Sequence, residues 1–173
     1  MSSLRPEQAR FYLESIALPL LKAEHAVTKR IIEALPVDRG DYRPDAISRT
    51  AFELAWHIVS AENRFLEAVA AGEFNFSGTR PEWIRNSADI SKWYAETFDA
   101  NVRRLEQLSD EQLLKVVDFK GIRQWPAVLH LQSGISHTIH HRGQLSQYLR
   151  PMGAKVPSIY GQSYDDAQAA AKK

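Results

Sequence analysis

No cysteine occurs anywhere in the chain. That excludes disulfides, thiolate metal ligands and a cysteine nucleophile. Any thiol in its chemistry must come from a small molecule. No stretch of 18 apolar residues is present, and the N-terminus carries no signal-peptide pattern. These absences predict a soluble, cytoplasmic protein with no membrane partner. No run of lysine and arginine stands out, and the formal net charge is +1 with histidines neutral. Nothing therefore calls for nucleic acid or an anionic lipid surface. Internal repeats are missing, and the only compositionally simple segment is the tail DDAQAAAKK at 165–173.

What remains is ordinary globular material. Hydrophobic residues make up 44% of 173, and charged residues 25%. A single domain spanning 1–173 follows, large enough to bury about 70% of the surface its unfolded chain exposes.

The helical period is strong. Residues 4–35 read as a first helix, with Pro6 near its start and Pro36 after its end. Leu13, Ile16, Leu20, Ala23, Val27, Ile31 and Ala34 form one apolar stripe. Phe11, Leu18, Leu21, His25, Ile32 and Leu35 form another. So wide an apolar arc suits a helix covered on two sides, with a second subunit as one possible cover. Pro19 should kink this helix or interrupt its bonding. His25 reads as a core or interface histidine rather than a ligand. Residues 36–49 form a loop. Thr50 and Glu53 make a capping box for a second helix, 50–72, closed by Gly72. The loop 73–86 carries Phe74, Phe76 and Trp83. It reads as a packed connection, and it also has the length to fold over a pocket. A third helix covers 87–107, and Ser109 with Gln112 repeats the capping-box pattern. VVDFKGIRQW at 116–125 is the only strand-like patch, a small hairpin turning at Lys120–Gly121. Pro126 to Gly153 reads as one long last helix, with Pro126 at its first position. Four long helices with short connections predict an all-α four-helix bundle, with a hairpin-like link before the last helix.

The chemistry gathers on the last helix. His137 and His141 are four residues apart, one turn above the other on the same face. Such a pair can offer two imidazoles to one ion. His57 falls among the apolar positions of the second helix and points inward. Interior imidazoles need partners, and a shared divalent ion would supply one. Spacing alone leaves a metal site and a set of interior packing histidines both open. Glu53, one turn before His57, is a candidate fourth ligand or orienting group, although the cap accounts for it. His140 flanks the pair, turned about 60° from His137, and suits an outer supporting position. Arg142, Gln144 and Tyr148 are candidate substrate contacts. No residue identifies itself as a catalytic acid, base or nucleophile.

The closing stretch HTIHHRGQLSQYLRPMGAKVPSIYG resembles the DinB family. So does LAWHIVSAENRFL around His57, set 80 residues before His137. The resemblance runs over about residues 8–162, which makes 163–173 a tail. It implies a four-helix bundle, often dimeric, with a divalent metal held by His57, His137 and His141. Nickel and zinc are the metals it suggests. It also implies a relation to metal-dependent transferases that use low-molecular-weight thiols. Three readings follow. The first is an enzyme in which a metal-activated thiol, or less readily water, attacks a small electrophile. The second is a non-catalytic protein that binds a metal or small molecule. The third is a structural metal tying two helices together, which requires a fourth protein ligand.

Overall fold

The computed structural model describes residues 4–172. The chain opens with one helical rod in three parts: α1 (Pro6–Phe11), a π turn (Tyr12–Ala17) and α2 (Leu18–Glu33). The interruption expected at Pro19 is this π turn, whose last bond runs from the Leu18 N–H back five residues to the Leu13 carbonyl. Pro19 has no N–H to continue an α pattern there. Apolar spacing favours the same solution. Ala9, Leu13, Ala17 and Leu21 are all buried, in steps of four. On an ideal α-helix three such steps drift by about 120°. The wider turn takes up the drift and keeps all four on the core side.

Helix α3 (Ala51–Ala71) begins at the expected capping box, with Thr50 and Glu53 each accepting the other's backbone N–H. Gly72 closes it at φ 75°. Helix α4 (Ser87–Glu106) is capped by Asn86, and the short α5 (Asp110–Leu114) starts from the second box, Ser109 with Gln112. Strands β1 (Val116–Phe119) and β2 (Arg123–Pro126) then pair antiparallel, with Val117 opposite Trp125 and Phe119 opposite Arg123. Lys120 and Gly121 both sit at positive φ, 55° and 70°, in the turn between them.

The last helix starts later than its sequence suggests. Pro126 is not its first residue but the end of β2, opposite Val116. The Ala127 N–H donates to the Lys115 carbonyl at 2.8 Å, which holds the chain on the hairpin before it can coil. A 3-10 turn (Ala127–Leu129) leads into α6 (His130–Leu149). The helix also ends earlier, at Leu149, and Gly153, at φ 78°, closes the turn that follows. The tail forms α7 (Tyr164–Ala170), anchored where Asp165 and Asp166 accept the N–H groups of Val156 and Ser158.

The α1–α2 rod, α3, α4 and α6 form a four-helix bundle, and α3 packs most closely on α6. The apolar core is in two parts. One, around Leu13, Leu21, Leu66, Leu105, Leu131 and Ile135, lies toward the hairpin. The other is built from Ile31, Ile58, Ile90, Leu145 and Leu149. Between them sits a buried polar layer of Glu24, Thr28, Glu62, Thr138 and Arg142. No helix among the described residues is long and apolar enough to cross a membrane.

Candidate metal centre

His57 on α3 faces His137 and His141 on α6. Gly134 lets these helices approach: a Cβ there would stand 2.9 Å from the Cβ of Phe65 on α3. Each imidazole offers one nitrogen, and the three atoms lie within 4.8 Å of one another. His57 Nε2 and His141 Nε2 are 3.3 Å apart. Two nitrogens bound tetrahedrally at about 2.05 Å from one ion would stand about 3.3 Å apart.

Protonation suits the same use. His141 Nδ1 lies 2.7 Å from Gln144 Oε1. An amide oxygen only accepts, so Nδ1 carries the proton and Nε2 presents a lone pair toward His57. Burial pushes His57 down to about 4, with Arg49 adding to the effect. Burial likewise brings His137 to about 4, helped by His141, His57 and His140 around it. Burial lowers His141 too, against the opposing hydrogen bond that it donates to Gln144. Near neutral pH all three are neutral, the form that binds metal. One ring nitrogen of His137, Nδ1, is buried without a protein partner. The donor set therefore fits a divalent ion with imidazole preference, and among the described residues no carboxylate joins the three histidines.

The other residues singled out from sequence separate into groups. Glu53 is exposed and its carboxylate is committed to the Thr50 N–H at the cap. His140 lies beside His141 and is 3.3 Å from Gln144 Nε2. Gln144 thus bridges two histidines, orienting His141 rather than reaching away from it. Tyr148 donates to the Arg49 carbonyl at 3.3 Å and shares with Gln144 a groove toward Ile47. Arg142 does not reach the site. It is buried in the polar layer, donating to Glu24 Oε2 at 2.5 Å and to the Tyr160 hydroxyl. One residue along a helix is about 100° around it, so the neighbour of a histidine ligand faces elsewhere. His130 donates through Nε2 to the Val117 carbonyl at 3.0 Å, pinning α6 to the hairpin.

Sequence reasoning missed two sets of residues. One is Glu62, fully buried, receiving hydrogen bonds from Tyr94 and Thr138 at 2.7 Å each. Burial pushes its carboxyl up to about 7. Its register with Ile58, Phe65 and Val69, all buried, was the available signal. The other is the wall of a cavity of about 620 Å³ that opens against His57, His137 and His140. Phe65, Phe119 and Trp125 line it, with Phe76 reaching in from the aromatic loop. Phe74 from the same loop packs on Phe65, Phe119 and His130 instead. The loop is thus both a packed connection and a contributor to a pocket. Alternation along β1, which sends Val117 and Phe119 to one face, pointed to part of this wall.

A four-helix bundle with three convergent histidines on two adjacent helices defines the architectural class. The chain belongs to the DinB family, whose sequence profile matches residues 17–173. It is 31% identical over 139 residues to the uncharacterized protein YjoA of Bacillus subtilis strain 168, covering 79% of this chain and 88% of YjoA. To YrdA of the same organism, also uncharacterized, it is 28% identical over 149 residues, covering 83% and 85%. The crystal structure of the DinB-like YjoA superposes with a TM-score of 0.71 at 28% identity, over 85% of this chain and 99% of that one. A DinB-like protein from Bacillus cereus ATCC 10987 gives 0.70 at 26% identity, over 83% and 95%.

Proposed function

We propose that His57, His137 and His141 hold one divalent ion, nickel or zinc, and that the protein is a metal-dependent transferase. Its reaction would be attack of a low-molecular-weight thiol, or less readily water, on a small electrophile. The observation that carries this reading is three neutral imidazoles converging with no fourth protein ligand among the described residues. Structural sites usually close with four protein ligands, whereas catalytic ones keep a position open. Held there, an ion would supply Lewis acidity, lowering the pKa of a thiol or water that reaches it.

The chain's own residues do the rest. Gln144 fixes the tautomer of His141, so one lone pair stays directed at the centre. Phe65, Phe119 and Trp125 give the reacting molecules an apolar wall beside the histidines. The absence of cysteine means the protein supplies no competing thiol. We also propose a homodimer, through the apolar residues Ile16 and Ala23 that the first rod leaves exposed.

The first test is elemental analysis of untagged protein beside His57→Ala and His137→Ala. About one divalent ion per chain, lost in both variants, supports the centre and names its metal. No metal in the native protein, and none taken up on incubation, overturns it. A screen of thiols with electrophiles then tests turnover. Product formed equally by a metal-free variant sinks the mechanism, and saturable binding without product leaves a non-catalytic binding protein.

A further inference from the structure

The cavity beside the histidines carries an uneven charge. Three of its lining residues are cationic: Arg64, Lys120 and Arg123. No carboxylate lines it. In a chain whose net charge is only +1, that is a local concentration. None of the three cations has an ion-pair partner among the described residues. They rest on aromatic faces instead. Lys120 Nζ lies 4.3 Å from the centre of the Phe76 ring, and the Arg64 guanidinium 5.6 Å from the same ring. The Arg123 guanidinium lies 4.8 Å from the Trp125 ring and donates to Ser133 at 2.8 Å. Asp118, the nearest acid on the hairpin, is turned into its own loop, where it accepts the Gly121 N–H.

The backbone contributes to this placement. Lys120 is the only residue other than glycine at positive φ among the described residues. That conformation disfavours lysine relative to the glycine or asparagine that such turns favour. The turn thus holds a cation at the pocket rim in a conformation that its side chain disfavours.

We propose that this cavity binds a small molecule with an apolar, aromatic-sized body and an anionic group. The anion sits among Arg64, Lys120 and Arg123. The body lies against Phe65, Phe119 and Trp125. A volume of about 620 Å³ is within the range for small-molecule sites. That the other end of this ligand meets His57 and His137 rests on the metal-centre reading above. The preference for an anion does not.

Two fluorescent probes separate charge from apolar contact: 1-anilinonaphthalene-8-sulfonate and the uncharged N-phenyl-1-naphthylamine, which lacks the sulfonate. The native protein should bind the sulfonate saturably, with about one site per chain. In Arg64→Gln/Lys120→Gln/Arg123→Gln its affinity should fall by about tenfold or more, while the uncharged probe keeps its affinity. Phe119→Ala should weaken both. Raising salt on the native protein should weaken only the sulfonate, a readout that needs no variant to fold. Metal content of the charge variant should stay at the native level. Absence of saturable sulfonate binding overturns the proposal. So does equal affinity for the sulfonate in native and triple-variant protein, or an equal loss of both probes in the triple variant. If the native protein holds no metal but the charge variant loses only the sulfonate, the anion site stands and the metal-centre reading falls.

Discussion

Gly134 sets the distance between the two helices that carry the histidines. A methyl group added there meets Phe65 Cγ at 3.2 Å and Cβ at 2.9 Å, and no side-chain rotation moves that Cβ aside. Alanine would otherwise favour a helix by about 1 kcal/mol. Gly134→Ala is expected instead to destabilise by about 1–3 kcal/mol, with a lower urea midpoint and weaker metal uptake. A midpoint that rises would show the contact to be loose. Arg142 is a different case, a buried guanidinium paired with buried Glu24. Arg142→Met strands that carboxylate and should cost about 3–5 kcal/mol. Glu24→Leu combined with it should recover much of the loss, which a double-mutant cycle in urea measures. These two residues also show what a sequence discloses at this scale. His137 and His141 were legible because a spacing of four fixes two side chains on one face. Arg142 follows His141 in the chain but not in space. Its register with Thr138, Leu145 and Leu149, all buried, gives its true direction.

Among the elements, the helix limits were legible wherever a local cap decides them: Thr50 with Glu53, Gly72, and Ser109 with Gln112. Pro126 was not, because its conformation is decided by pairing with Val116 and by the Lys115–Ala127 hydrogen bond. Those partners lie across the hairpin, outside any local pattern. The π turn was half legible. Proline announced an interruption, but steps of four along the core decided its form. The hairpin offers the sharpest test at this scale. Lys120→Asn suits the left-handed turn better and should raise stability by about 0.5–1 kcal/mol. The same change should weaken binding of the anionic probe. Thermal melts and fluorescence titrations on one preparation check both, and a gain in each would separate the lysine from the site.

For the whole molecule, the bundle was legible because four long periodic segments admit few other architectures. The cavity was not, since its wall is assembled from α3, the aromatic loop, the hairpin and α6. Stability should bend with pH in two directions. His25, stacked on Phe98 and tilted against Tyr94, is brought by burial from 6.5 to about 4, against the opposing pull of Asp99. The unfolded chain then takes up the proton first, so this contribution is full above pH 6.5 and lost as pH falls toward 4. Glu62 acts oppositely. Its carboxyl is raised from 4.5 to about 7, so its contribution is full below pH 4.5 and lost as pH rises through 7. In metal-free protein His57 and His137 add to the same rise as His25, so His25→Leu should make the gain in stability between pH 4 and 6.5 shallower, and Glu62→Gln should make it steeper, as urea midpoints across this range would show. For the proposed dimer, sedimentation at micromolar concentration should give twice the chain mass, and a clean monomer would refute it. The meeting of His57 with His141 has one more consequence. They stand 84 positions apart in the chain, with α4, α5 and the hairpin between them. An ion shared by both would make that span a closed loop in a protein without disulfides. Under tension from its ends, the molecule would pay out its contour in two instalments. About 280–300 Å of chain would stay locked until the metal–nitrogen bonds gave way, and a chelator rather than a reductant would release it.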